Sequence, residues 1–86
     1  MKVLMHPIEI IAWFNCEGVP RPLRFRIFYN DRAMVIRVDK IVCKTEEKIA
    51  GNKMLIFRCQ SVIDGRLRDF ELKYEYSTCR WFLYKM

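Results

Sequence analysis

Residues 53–86 decide how this chain folds: KMLIFRCQSVI (53–63), Asp64-Gly65, RLRDFELKYEY (66–76), Ser77-Thr78 and CRWFLYKM (79–86). Three runs rich in β-branched and aromatic residues are joined by two very short polar connections, the pattern of an antiparallel meander. Asp-Gly supplies the two positive-φ positions of a type I′ turn. A two-residue loop there sets Cys59 opposite Phe70, Phe57 opposite Leu72 and Leu55 opposite Tyr74 on one face. The other face carries Arg58 opposite Glu71, Met54 opposite Glu75, Gln60 opposite Asp69 and Ile56 opposite Lys73. A slip of one residue would bring Phe57 against Glu71 and mix the two faces, so the alternation specifies the register.

Ser77-Thr78 is read either as a two-residue turn or as the middle of a four-residue loop over 76–79. Both place Tyr74 opposite Trp81, Leu72 opposite Leu83 and Glu75 opposite Arg80. Phe57, Phe70, Leu72, Tyr74, Trp81 and Leu83 then form one apolar face. Burial stabilises by roughly 1.5–3 kcal/mol for each aliphatic or Phe side chain, so the first half of the chain must cover that face. The outer face holds two rows, Ile56, Lys73, Phe82 and Arg58, Glu71, Tyr84.

Working back, residues 8–14 read as a strand with Ile8, Ile10, Ala12 and Phe14 on one face and Glu9, Ile11 and Trp13 on the other. Residues 1–6 lead in and fray, although Val3 to Met5 could extend that strand. After a Gly- and Pro-containing loop, residues 23–29 alternate, with Leu23, Phe25, Ile27 and Tyr29 inward and Arg24, Arg26 and Phe28 outward. Asn30-Asp31 tolerates the left-handed region and reads as a hairpin turn. The strand over 33–43 then places Met34, Ile36 and Val38 opposite Ile27, Phe25 and Leu23, and Arg24 opposite Arg37. The alternation breaks at Asp39-Lys40, where a bulge would bend one long strand across two sheets. Residues 45–52 read as one or two helical turns, with Thr45 as cap, Glu46 and Glu47 in the first turn and Gly51 at the end. The expectation is one domain over 1–86: an all-β, six-stranded, strongly bent antiparallel sheet or small barrel, OB-like or SH3-like, with one short helical turn between the third and fourth strands.

Composition narrows the function. A chain of 86 residues builds a single small core. Its net charge of +6 favours polyanionic partners. Cys16, Cys43, Cys59 and Cys79 have no metal-knuckle or redox-pair spacing, and no metal or cofactor is expected. The N-terminus has no signal-peptide pattern, no run is long enough to span a membrane, and the thiols suit the cytoplasm. His6 is the sole histidine, with no nucleophile placed beside it, and Glu71 and Glu75 flank Lys73 as structural ion pairs do. No catalytic residue and no small-molecule substrate are assigned.

The sharpest functional pattern is basic and aromatic. Arg21, Arg24, Arg26, Arg32 and Arg37 fall within 17 residues, opposed by Asp31, and Phe28 shares a face with Arg24 and Arg26. Guanidinium groups fork onto phosphates and exposed aromatics stack on bases. The plainer reading is a solvated face, or pairing with Glu17, Asp31 and Asp39. No recognised nucleic-acid-binding motif accompanies the arginines. The expectation is a non-catalytic module that binds nucleic acid weakly and without sequence preference. The alternative is a protein-interaction module or homodimer whose contact is made by Ile11, Trp13, Phe82 and Tyr84.

Pro22 to Arg26, Gly51-Asn52-Lys53-Met54, Phe57-Arg58-Cys59-Gln60, Phe70-Glu71-Leu72-Lys73-Tyr74 and Cys79-Arg80-Trp81-Phe82-Leu83 together resemble short uncharacterised bacterial proteins, a small family of unknown function. The resemblance covers most of the chain and implies a bacterial cytoplasmic protein. It carries no activity and assigns no residue a role.

Overall fold

Asp64 and Gly65 adopt φ of 51° and 77°, and around them β6 (Asn52–Ile63) pairs with β7 (Arg66–Glu75) in the register that the alternation requires. Cys59 lies opposite Phe70, Phe57 opposite Leu72, and Arg58 opposite Glu71. This is a computed structural model, and it describes the backbone of residues 1–86 and every side chain except that of Tyr29. The inward side chain expected of Tyr29 therefore lies outside the described residues.

The next connection is a four-residue loop, Tyr76-Ser77-Thr78-Cys79, with Cys79 at φ 57°. It leads into β8 (Arg80–Lys85), with Tyr74 opposite Trp81, Leu72 opposite Leu83 and Lys73 opposite Phe82. A bulge between Glu71 and Leu72 shifts the end of this ladder, so Glu71 meets Lys85 and not the expected Tyr84.

Among the described residues there are eight strands and no helix. The helical turn expected over 45–52 is instead the end of β5 (Lys40–Ile49) and a tight turn at Ala50-Gly51, with φ of 49° and 81°. Two successive positive φ values are those of a type I′ hairpin, and β5 pairs with β6 from Lys40 opposite Gln60 to Ile49 opposite Asn52. Thr45 therefore sits mid-strand opposite Ile56 and caps nothing. The lead-in is also ordered: β1 (Val3–Pro7) pairs with β8, with a bulge between Val3 and His6 and Met5 at φ 51°.

The remaining strands are β2 (Glu9–Phe14), β3 (Pro20–Tyr29) and β4 (Arg32–Arg37), with Asn30 and Asp31 at φ 49° and 61° in the turn between the last two. They make a second antiparallel sheet in the order β2-β3-β4, against β1-β8-β7-β6-β5 in the first. The chain passes between the sheets at two places, Ile8 and Val38-Asp39. The second crossing falls where the alternation breaks, but the single bulged strand expected over 33–43 is two strands, β4 and β5, in different sheets.

The two sheets face each other over one core. Phe57, Cys59, Phe70, Leu72, Tyr74, Trp81 and Leu83 come from the larger sheet and Phe25 and Ile36 from the smaller. Phe25 meets Phe70 across the interface with ring centroids 5.5 Å apart, and Phe57 stacks on Trp81 at 5.6 Å. Leu23, expected inward, is half-exposed because a bulge in β3 beside Ala12 makes it the unpaired residue.

At the Val38-Asp39 crossing, Ser61 is fully buried and its hydroxyl does two jobs. It donates to the Arg37 carbonyl at 2.6 Å and accepts from the Asp39 N–H at 3.1 Å. The Asp39 carboxylate in turn accepts the Val62 N–H at 2.8 Å. These bonds satisfy backbone groups that have left one ladder and not joined the other. The six-stranded bent sheet or small barrel expected from the sequence is instead two separate antiparallel sheets of five and three strands, with no closed barrel. Where β3 runs on past the Leu23–Val38 hydrogen bond it contains Pro20 and Pro22, which have no N–H to offer a further strand.

Candidate nucleic-acid interface

The outer face of β2-β3-β4 is built by simple alternation. Phe25, Ile36 and Ile10 point into the core, so their neighbours Arg24, Arg26, Arg37, Val35 and Ile11 point out. Across the sheet the rows read Ile11, Arg24, Arg37 and then Glu9, Arg26, Val35, with Phe28 beside Ala33 beyond them. On the other side of the β3 bulge Trp13 stands opposite Arg21. The loop before β3 sets that end: Asn15 Oδ1 accepts the N–H groups of Glu17 at 3.0 Å and Val19 at 2.9 Å. This Asx-type turn returns the chain directly from Trp13 to Arg21.

Four of the five arginines thus converge on one face. Arg32 does not join them. It lies opposite Tyr29 at the hairpin end, on the parity of Met34 and Ile36, facing the other side of the sheet. Arg26 is held by Glu9, whose Oε2 accepts from its Nε at 3.1 Å, and its guanidinium lies 5.4 Å from the centre of the Phe28 ring. Glu9 is also the partner of Arg26 in an ion pair. Among the described residues no carboxylate pairs with Arg21, Arg24 or Arg37.

Apolar groups stand exposed between these cations. Trp13 is 57% exposed, Phe28 63%, Val35 62% and Ile11 50%. Glu9, Ile11, Arg24, Arg26 and Val35 border a shallow groove of about 370 Å³ along the middle of the face. The arginines and Phe28 were legible in the sequence. Val35 was legible too, from the β3–β4 register, but the membership of Trp13 and Ile11 was not, because the irregular loop between β2 and β3 gives no register. The alternation of Glu9, Ile11 and Trp13 was the available signal.

Phe82 and Tyr84, expected to share an interface with Ile11 and Trp13, lie on the outer face of the other sheet. Both are half-buried. Arg80 covers the Phe82 ring at 5.3 Å, and Lys73 and Lys85 lie 3.9 and 4.9 Å from the Tyr84 ring centre. Lys73 is itself buried, with its ammonium donating to Glu47 at 3.0 Å.

Burial, with smaller contributions from Cys43 and Glu71, pushes the Cys59 thiol up to about 12, the opposite of what an attacking thiolate needs. Glu75 is held below the usual carboxylate range by hydrogen bonds from Thr78 at 2.6 Å and Asn52 at 2.8 Å, which makes it a fastener of the β7–β8 loop. Among the described residues no three metal-ligating side chains cluster, and no helix is long and apolar enough to cross a membrane.

Compared with protein-family models, curated proteins and solved structures, the chain matches none. The likeness to short bacterial proteins rests on its residues alone.

Proposed function

We propose that the protein is a non-catalytic module that binds nucleic acid on the outer face of β2-β3-β4, through phosphate contacts that do not read sequence. The observation that carries this reading is the pair Arg24 and Arg37, set directly opposite each other with no carboxylate between them. Like charges at a cross-strand position repel. A phosphate seated between two guanidinium forks converts that repulsion into charge-assisted hydrogen bonds. Arg21 and Arg26 extend the positive strip along β3.

The test is a salt titration of binding to a random oligonucleotide. With four arginines each neutralising one phosphate of a single strand, raising salt from 50 to 200 mM weakens binding on the order of 50-fold. Replacing Arg24 and Arg37 together with alanine cuts the same salt effect to roughly 7-fold. Affinity independent of salt, or no binding at all, refutes the proposal.

The homodimer through Ile11, Trp13, Phe82 and Tyr84 is the weaker reading, since those residues occupy outer faces of different sheets. Sedimentation at micromolar concentration decides it, and a stable dimer that loses its contact on Trp13→Ala would restore it. Four free cysteines, three of them exposed, suit a reducing compartment, and we place the protein in the cytoplasm on that ground. A disulfide-linked form isolated from cells under thiol-blocking conditions would contradict that placement.

A further inference from the structure

We infer that the occupant of this face is a single strand, whose bases stack on Trp13 at one end and Phe28 at the other while its backbone follows the arginines of β3. The inference rests on the nucleic-acid reading above and adds to it the state of the strand and the residues that hold the bases.

Three observations lead to it. Trp13 and Phe28 are the exposed aromatics of the face and stand at opposite ends of the strip, Trp13 in the row of Arg21 and Phe28 in the row of Ala33. From Arg21 to Phe28 the strand rises roughly 20 Å, a length suited to the low end of single-strand site sizes, about 4 nucleotides per fold. Arg24, Arg37 and Arg26 lie between the two rings, with Arg21 beside Trp13, as a backbone running from one stacked base to the other requires.

The second observation is how Phe28 is held. Arg26 lies over its ring and is itself fixed by Glu9, so the ring is supported on one side and open on the other. Stacking needs bases that are unstacked from a partner strand, and a paired duplex does not offer their faces to a flat sheet. The third is charge. Four arginines against one carboxylate, Glu9, are complementary to a polyanion. A second copy of this chain docking face to face would bring its own arginines against them, which argues against self-association here.

The two tryptophans make the experiment direct, because Trp13 is 57% exposed and Trp81 only 5%. Trp13 emission is followed while the full chain is titrated with a single-stranded octanucleotide, the same sequence as a duplex, and heparin, which has charge but no bases. The affinity of every variant for every probe is read by titration calorimetry, which does not need Trp13. The single strand binds tightest and quenches Trp13. Trp13→Ala and Phe28→Ala each weaken its binding roughly 5- to 150-fold and leave heparin binding unchanged, while Trp13→Phe retains most of the affinity. Near-ultraviolet circular dichroism of Trp81 confirms that each variant is folded. Equal binding of duplex, heparin and single strand, or unaltered affinity in Trp13→Ala, overturns this inference and leaves the phosphate-binding reading standing. Failure of all three probes to bind overturns both.

Discussion

The outer faces of the two sheets treat charge in opposite ways. On the larger sheet, Lys73 is paired with Glu47, while Glu75 is hydrogen-bonded by Asn52 and Thr78. Its aromatics Phe82 and Tyr84 are covered by cations from the same sheet. On the smaller sheet, Arg24 faces Arg37, and Trp13, Phe28, Val35 and Ile11 stand exposed. The larger sheet's outer face ties down Lys73, Glu75 and its two aromatics, although Arg58 and Glu71 form no ion pair and Val62 and Leu67 stand exposed at its far end. The smaller sheet's leaves Arg21, Arg24 and Arg37 without a carboxylate among the described residues, beside four exposed apolar side chains. On the proposed reading, core substitutions in either sheet, Phe25 and Ile36 of the smaller one included, should unfold the protein, and those on the outer face of the smaller sheet should spare the fold and alter binding.

Alkali gives the largest expected effect. Burial pushes both the Cys59 thiol and the Tyr74 hydroxyl up to about 12, Tyr74 with added contributions from Cys79 and Tyr76. Their folded values exceed the unfolded ones, so the stability is fully present below the unfolded pKa values and is lost as pH rises towards 12. Urea denaturation at pH 9, 10 and 11 should show a fall on the order of several kcal/mol across the window. A flat profile would contradict the burial of both groups.

Next comes Lys73→Ala, which removes the cation from Glu47 and Tyr84 and should cost about 2 kcal/mol, below the roughly 3–5 kcal/mol of a fully buried pair because Glu47 remains partly exposed. Lys73→Met combined with Glu47→Leu should recover most of that in the same denaturation experiment. If Lys73→Ala is neutral, the Lys73–Glu47 pair contributes nothing to the fold. Ala50→Gly should stabilise by about 0.5–1 kcal/mol, because alanine occupies a positive-φ position in the β5–β6 turn. Smallest is Arg37→Ala, expected to raise stability by about 0.5 kcal/mol through relief of the Arg24 repulsion. Destabilisation there would mean that Arg37 supports the fold and is not kept for a ligand.

Much of the larger sheet was legible in advance because its information is local. Asp64-Gly65 sets the turn, and the alternation of Phe57, Cys59, Phe70 and Leu72 admits one register. The stretch 45–52 misled because Thr45, Glu46, Glu47 and Gly51 fit a capped helix as well as they fit a strand ending in a type I′ turn. Its strand alternation is invisible as hydrophobicity, since Lys44, Glu46 and Lys48 are exposed. β1 was hidden for another reason. Met5 interrupts its periodicity with a bulge, and its partner β8 lies at the far end of the sequence. Arg24, Arg26 and Arg37 were placed on one face by parity alone, whereas Arg21 reaches it only through the bulge at Leu23, and Trp13 required a register that only the folded loop supplies.

The pairing of β1 with β8 has a consequence for the order of folding. His6 meets Leu83 across nearly the whole length of the chain, whereas the β6–β7 and β7–β8 ladders close over neighbouring residues. Closing so long a loop is entropically slow, and non-local pairings limit the rate at which small β proteins fold. β2 follows β1 directly, so the strand bearing Trp13 is tied to the slowest pairing in the molecule. Pulsed hydrogen exchange during refolding should show amides of β6 and β7 protected first and those of β1 last. Protection of β1 at the same time as β7 would refute this order.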